Sequence, residues 1–154
     1  MNSREDANNA NEPNVEELSK IVVDAAYNIH KELGPGLLES VYEIVLSKSL
    51  EKRGLHVERQ KSVSFEYDGI FFAEGLRVDL LVNGTLVLEL KSVENIVPVH
   101  NKQLLTYLRL LHLPLGLLID FGTAAFKDGE KRIVNNHTSF ASSCLRVNQV
   151  FHSL

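Results

Sequence analysis

Apolar residues recur at helical spacing from Leu18 onward, with Leu18, Ile21, Val22, Ala25, Ala26, Ile29 and Leu33 on one stripe. Asn14 stands where an N-cap belongs. Glu16 and Glu17 follow in the first turn, where negative charge suits the helix dipole. Gly34-Pro35-Gly36 ends this helix. A second stripe joins Leu38, Val41, Tyr42, Val45, Leu46 and Leu50, and Gly54 closes it after Lys52 and Arg53. So short a link predicts a helical hairpin. Residues 1–13 are Asn-rich and without period, which predicts a disordered tail.

The period then falls to two. Val63, Phe65 and Tyr67 alternate with Ser62, Ser64 and Glu66, and Asp68-Gly69 signals a turn. Phe72 to Val82 and Thr85 to Ser92 read as two more strands around Asn83-Gly84, giving an antiparallel meander. Val99 to His112 is amphipathic through Leu104, Leu105, Leu108 and Leu111, and Pro114 stops it. Leu115 to Phe121 is nearly all apolar, as a strand buried on both faces would be. The order predicts an α/β core with a mixed sheet, in which the last two of these strands run parallel across a helical crossover. Beyond residue 122 the pattern weakens. Lys131 to Val134 suits an edge strand, and Cys144 to Phe151 could pair or pack.

The chain has 154 residues, 44% of them hydrophobic, which suits one domain with a real core. Residues 14–122 form its core and 123–154 a C-terminal extension of the same domain. No apolar run reaches the ~20 residues that span a bilayer, and the N-terminus lacks the apolar stretch of a secretory signal. Cys144 is alone, so neither an intramolecular disulfide nor a cysteine-based zinc site can form, and a cytoplasmic setting is expected. The six histidines lack paired ligand spacing. The net charge of -4 lies in residues 1–17, which hold five acids and one base. The neutral remainder neither favours nor excludes a polyanionic partner.

The chemically informative stretch runs from Arg77 to Lys91. Glu89 and Lys91 are two apart on a strand and share a face, opposite Leu86, Leu88 and Leu90. Asp79 lies inside an apolar run on the preceding strand. Two carboxylates brought together repel unless a cation stands between them, and a divalent ion with oxygen ligands is the usual answer. Acid, acid and lysine around Mg²⁺ or Mn²⁺ is an arrangement that cleaves phosphodiesters. Geometry sets a condition. A two-residue loop at Asn83-Gly84 pairs Asp79 with Leu88 and turns it to the core, so the chemistry needs a three-residue loop with a bulge or another register irregularity nearby.

Asp79 with Glu89-Leu90-Lys91 resembles the D…(D/E)xK core of the PD-(D/E)XK nuclease superfamily. Gly36-Leu37-Leu38-Glu39-Ser40-Val41-Tyr42 is similar to the signature of its GxxExxY family, and Gln103-Leu104-Leu105-Thr106-Tyr107 to the QxxxY element of its RecB-type branch. The resemblance implies a restriction-endonuclease-like fold, a mixed sheet flanked by helices with an N-terminal helical hairpin. It implies metal ligation by Asp79, Glu89 and the carbonyl of Leu90. Glu39 would reach the metal or a water on it, Lys91 would position the attacking water, and Gln103 and Tyr107 would orient Lys91 or contact the phosphate. The function implied is hydrolysis of nucleic acid, DNA before RNA. The alternative is a catalytically silent nucleic-acid-binding or regulatory protein on the same fold. Glu43 reads as a solvated neighbour of Glu39, and His100 as a surface residue at a helix start. All three carboxylates are expected within metal-bridging reach, and part of residues 123–154 is expected to serve a homodimer.

Overall fold

The computed structural model describes residues 11–136. Helix α1 (Val15–Leu33) starts in a capping box, Glu17 N–H donating to Asn14 Oδ1 at 2.9 Å and Asn14 N–H to Glu17 Oε2 at 3.0 Å. The chain then turns through Gly34 and Gly36, both at positive φ, into α2 (Glu39–Lys52). Three antiparallel strands follow: β1 (Val57–Tyr67), β2 (Ile70–Val82) and β3 (Leu86–Lys91). Helix α3 (Pro98–Leu111) crosses over to β4 (Leu115–Asp120), which runs parallel to β3. A four-residue helix, α4 (Phe126–Gly129), leads into β5 (Glu130–Val134), antiparallel to β4. The sheet order is β1-β2-β3-β4-β5. The α/β fold with a mixed, helix-flanked sheet is therefore as expected. Only α4 had no trace in the sequence pattern, since four residues are too few to show a period. The segment Cys144 to Phe151 and most of the proposed dimer segment lie outside the described residues, as do residues 1–10 of the tail.

Two apolar cores sandwich the sheet. On one face α1 and α2 deliver Leu18, Val22, Ala26, Tyr42, Leu46 and Leu50 onto Leu80, Leu88, Leu90, Leu117 and Ile119. On the other, Leu104 and Leu108 of α3 cover Val78, Val87 and Leu118. Alternation along β3 and β4 serves both cores at once, which is why Leu86 to Leu88 and Leu115 to Ile119 are apolar. The hairpin β1–β2 behaves differently. Val82 and Leu80 pack on the α1–α2 side, but Val78 and Leu76 pack on the α3 side, although all four have the same parity. Val57 and Val63 of β1 divide the same way. Both strands therefore exchange faces at one level, between Leu80 and Val78 and beside Gln60.

Tyr42 ties α2 to the end of β4. Its ring stacks on Phe121 with centroids 4.4 Å apart, its hydroxyl donates to Gly34 O at 2.5 Å, and Leu37 N–H donates to it at 3.2 Å. Asp120 ties the chain beyond β3 to the chain beyond β4, its Oδ1 accepting from Val93 N–H and Gly122 N–H, both at 2.9 Å. Gly122 is required by this contact, because a Cβ there would stand 2.3 Å from the carbonyl oxygen of Val93. Gly122→Ala should therefore cost about 1–3 kcal/mol by overpacking against backbone. Urea denaturation reads it, and an unchanged midpoint would show that the Val93 strand exit is free to move.

Candidate active site

The loop between β2 and β3 sets the register of everything that follows. Val82 pairs with Leu86, so Asn83, Gly84 and Thr85 lie between the strands, and Thr85 N–H donates to Val82 O at 3.0 Å. Asn83 and Gly84 both take left-handed conformations, at φ +49° and +67°. Leu80 consequently pairs with Leu88, and Asp79 falls opposite Glu89. Of the two arrangements that would bring Asp79 opposite Glu89, the chain takes the three-residue loop. Beyond Leu80 the ladder is carried by side chains instead. Leu90 N–H donates to Asp79 Oδ2 at 2.8 Å, and Asp79 N–H donates to Glu89 Oε1 at 3.3 Å. Each acid thus caps the opposing strand where β2 and β3 part.

The electrostatics follow from this placement. Glu89 is only 6% exposed, and burial together with the Asp79 carboxylate pushes its carboxyl up to about 8. Glu39, half-buried at the start of α2, is also raised, by burial first and by Asp79 second, while Lys91 opposes the shift. Glu39, Asp79, Glu89 and Lys91 therefore share one field. They do not form a ready-made cage. Among the described residues no three His, Cys, Asp or Glu side chains stand together at metal-holding spacing. The expectation of three carboxylates already in bridging reach is corrected in that respect: Asp79 and Glu89 are the close pair, and Glu39 is joined to Asp79 by electrostatic influence alone. The donor set still suits a hard divalent cation, since Mg²⁺ needs only one or two carboxylates and keeps its remaining waters.

Leu90 buries its side chain in the core and turns its backbone to Asp79. Lys91 is half-buried at the end of β3, with Asp120 as its register partner on β4. Alternation puts Glu89 and Lys91 on the α3 face. On α3, Gln103 Nε2 donates to Tyr107 Oη at 2.8 Å, so the pair is bonded to itself. Among the described residues no hydrogen bond links either of them to Lys91.

Two acids were misread or passed over. Glu43 is not a solvated neighbour. It is 4% exposed and accepts from Arg59 Nε at 3.2 Å and Gln60 Nε2 at 2.7 Å. The signal was its spacing of four from Glu39, on the same helix face as Ser47. Asp120 is fully buried, and its second oxygen has no partner among the described residues. Its signal was the one Glu89 gave, an acid closing an apolar strand. His100 is half-buried, its Nδ1 out of contact with solvent, so the surface reading is corrected too.

The sequence profile described as the PD-(D/E)XK nuclease superfamily matches residues 16–133 of this chain. The chain belongs to the PD-(D/E)XK nuclease superfamily. No curated protein matches it. A crystal structure of SSO0001 is similar at 18% identity, over 83% of this chain and 72% of that one, with a TM-score of 0.42. The matched span contains the acids of α2, β2 and β3 as well as Lys91, Gln103 and Tyr107. No helix among the described residues is long and apolar enough to cross a membrane.

For the metal-free protein the sign of the Glu89 shift fixes a pH dependence. The folded state holds a proton on Glu89 that the unfolded chain releases above its ordinary value of 4.5. Stability is therefore lost as pH rises from 4.5 through about 8. Glu89→Gln should flatten that slope and, above pH 8, exceed the parent by about 1–2 kcal/mol. Urea midpoints in EDTA across this window test it. Parallel slopes for parent and variant would remove Glu89 as the cause.

Proposed function

We propose that this PD-(D/E)XK protein is a divalent-metal-dependent nuclease that hydrolyses phosphodiester bonds, in DNA before RNA. The single observation that carries the reading is the reciprocal capping of Asp79 and Glu89 at the parting of β2 and β3, which holds two acids side by side at a cost to the fold. The GxxExxY assignment is the finer part of the same proposal. It is supported by the position of Glu39 at the first turn of α2, in the field of Asp79 and Lys91.

When bound, Mg²⁺ or Mn²⁺ supplies Lewis-acid charge to the scissile phosphate and makes a nucleophile available at neutral pH. Asp79 and Glu89 would hold it, with the Leu90 carbonyl. Lys91 brings positive charge beside them, suited to orienting water and to meeting charge that develops on the phosphate. Glu39, its carboxyl raised by burial and by the Asp79 carboxylate, would serve as a hydrogen-bond partner for that water. Gln103 and Tyr107 present an amide and a phenol on the helix covering this face, suited to the phosphate backbone. The neutral charge of residues 18–154 gives a weak ionic grip, and with few phosphates neutralised the salt dependence of binding should be shallow.

Plasmid, linear duplex and single-stranded RNA are to be incubated with Mg²⁺, Mn²⁺ or EDTA. Cleavage of DNA with either ion and none in EDTA is expected. Lys91→Ala should lower the rate at least about a hundredfold, while its urea midpoint stays within roughly 0.5 kcal/mol of the parent. Equal rates for parent and variant would take Lys91 out of the chemistry. Tight binding without cleavage under every condition would favour the silent nucleic-acid-binding alternative.

A further inference from the structure

Gln60 is the residue that the functional reading leaves unexplained. It lies in the middle of β1, yet its φ is +50°, a left-handed conformation that side-chain-bearing residues adopt at a cost. The β1–β2 ladder is regular on both sides of it, with Arg59 opposite Leu80 and Lys61 opposite Val78. Gln60 therefore faces Asp79 across the hairpin. This is also the level at which both strands exchange faces between the two cores.

The conformation has a consequence for two side chains. In a pleated strand Arg59 and Gln60 would point to opposite faces. Here both reach the same carboxylate, Arg59 Nε donating to Glu43 Oε1 at 3.2 Å and Gln60 Nε2 to Glu43 Oε2 at 2.7 Å. The Gln60 amide has a second hydrogen, and it is directed to Asp79 Oδ1 at 3.4 Å. Asp79 Oδ2 is already held by Leu90 N–H. Both oxygens of the candidate metal ligand are thus fixed, one from β3 and one from β1, and the β1 contact is anchored on a buried acid of α2.

We infer that Gln60 is a positioning residue for Asp79. Its strained backbone carries the amide between Glu43 and Asp79, and that bridge aims the Asp79 carboxylate for a divalent cation. The inference rests on the proposed metal-dependent function of the site. Hydrogen-bond partners of metal ligands typically alter affinity or activity by about 10–100-fold when removed.

The test compares Gln60→Gly and Gln60→Ala with the parent and with Asp79→Ala. Both Gln60 variants lose the amide, but only glycine relieves the left-handed strain. Mn²⁺ affinity is measured by calorimetry or by electron paramagnetic resonance, and thermal stability is measured in EDTA. Gln60→Gly should melt above Gln60→Ala, because both lose the bond to Glu43 and only glycine relieves the strain, while both bind Mn²⁺ about 10–100-fold more weakly than the parent. A role in stability alone would make affinity follow melting temperature, and Gln60→Gly with parental Mn²⁺ affinity overturns the inference. Cleavage assays separate it from the nuclease reading. If the parent binds Mn²⁺ through Asp79 but cuts nothing, the nuclease reading falls and the positioning role is still decided by the affinities. If the parent binds Mn²⁺ no better than Asp79→Ala, both fall together.

Discussion

Where the β2–β3 ladder ends, the N–H groups of Asp79 and Leu90 donate to carboxylates, those of Glu89 and Asp79, in place of backbone carbonyls. The rest of the site depends on that exchange. A carboxylate that accepts a backbone N–H is held rigidly, and its remaining lone pairs have one direction left to face. Because each acid caps the other's strand, neither can turn away without leaving a donor unsatisfied. The register that makes the exchange possible is set by the three-residue Asn83-Gly84-Thr85 loop, and a loop one residue shorter would send Asp79 into the α1–α2 core.

The hairpin β1–β2 absorbs the resulting mismatch. Its inner half packs with the helical hairpin and its outer half packs with α3, so the strands must turn over between them. Placing the turnover at Gln60 and Asp79 puts a left-handed residue within a strand beside the acids. Irregular backbone is costly in a core, and its position here fits the general tendency of strain to collect where chemistry is done. Across the sheet, Glu43 and Asp120 bury further acids near the same field. Such a concentration of like charge opposes folding in the absence of a cation, and burial makes it worse.

Most of the fold was legible because period and punctuation agreed. The α1 stripe, its Asn14 cap, the Gly34-Pro35-Gly36 break and the apolar β4 run each pointed one way. The site was legible through rule-breaking, with acids in apolar strands at Asp79 and Glu89. Glu43 was misread because alternation on a helix says which face a residue takes, but not that a partner strand will bring Arg59 and Gln60 to meet it. Gln60 could not be seen at all. A left-handed φ at a residue other than glycine leaves no mark in composition or period, and arises only when the tertiary structure over-determines it.

The two cores also differ in what they can tolerate. The α1–α2 side is sealed by two helices and by the Tyr42–Phe121 stack, so it can hold the sheet fixed. The α3 side has one helix and a ring of half-buried residues, among them Tyr107, Leu110 and Leu111. Glu89 and Lys91 lie toward this thinner side by strand alternation. A site built there can be reached by a polymeric substrate without opening the main core. The rigid face then supplies precision to Asp79 and Glu89 through the sheet, and under the proposed function the thinner face would supply access.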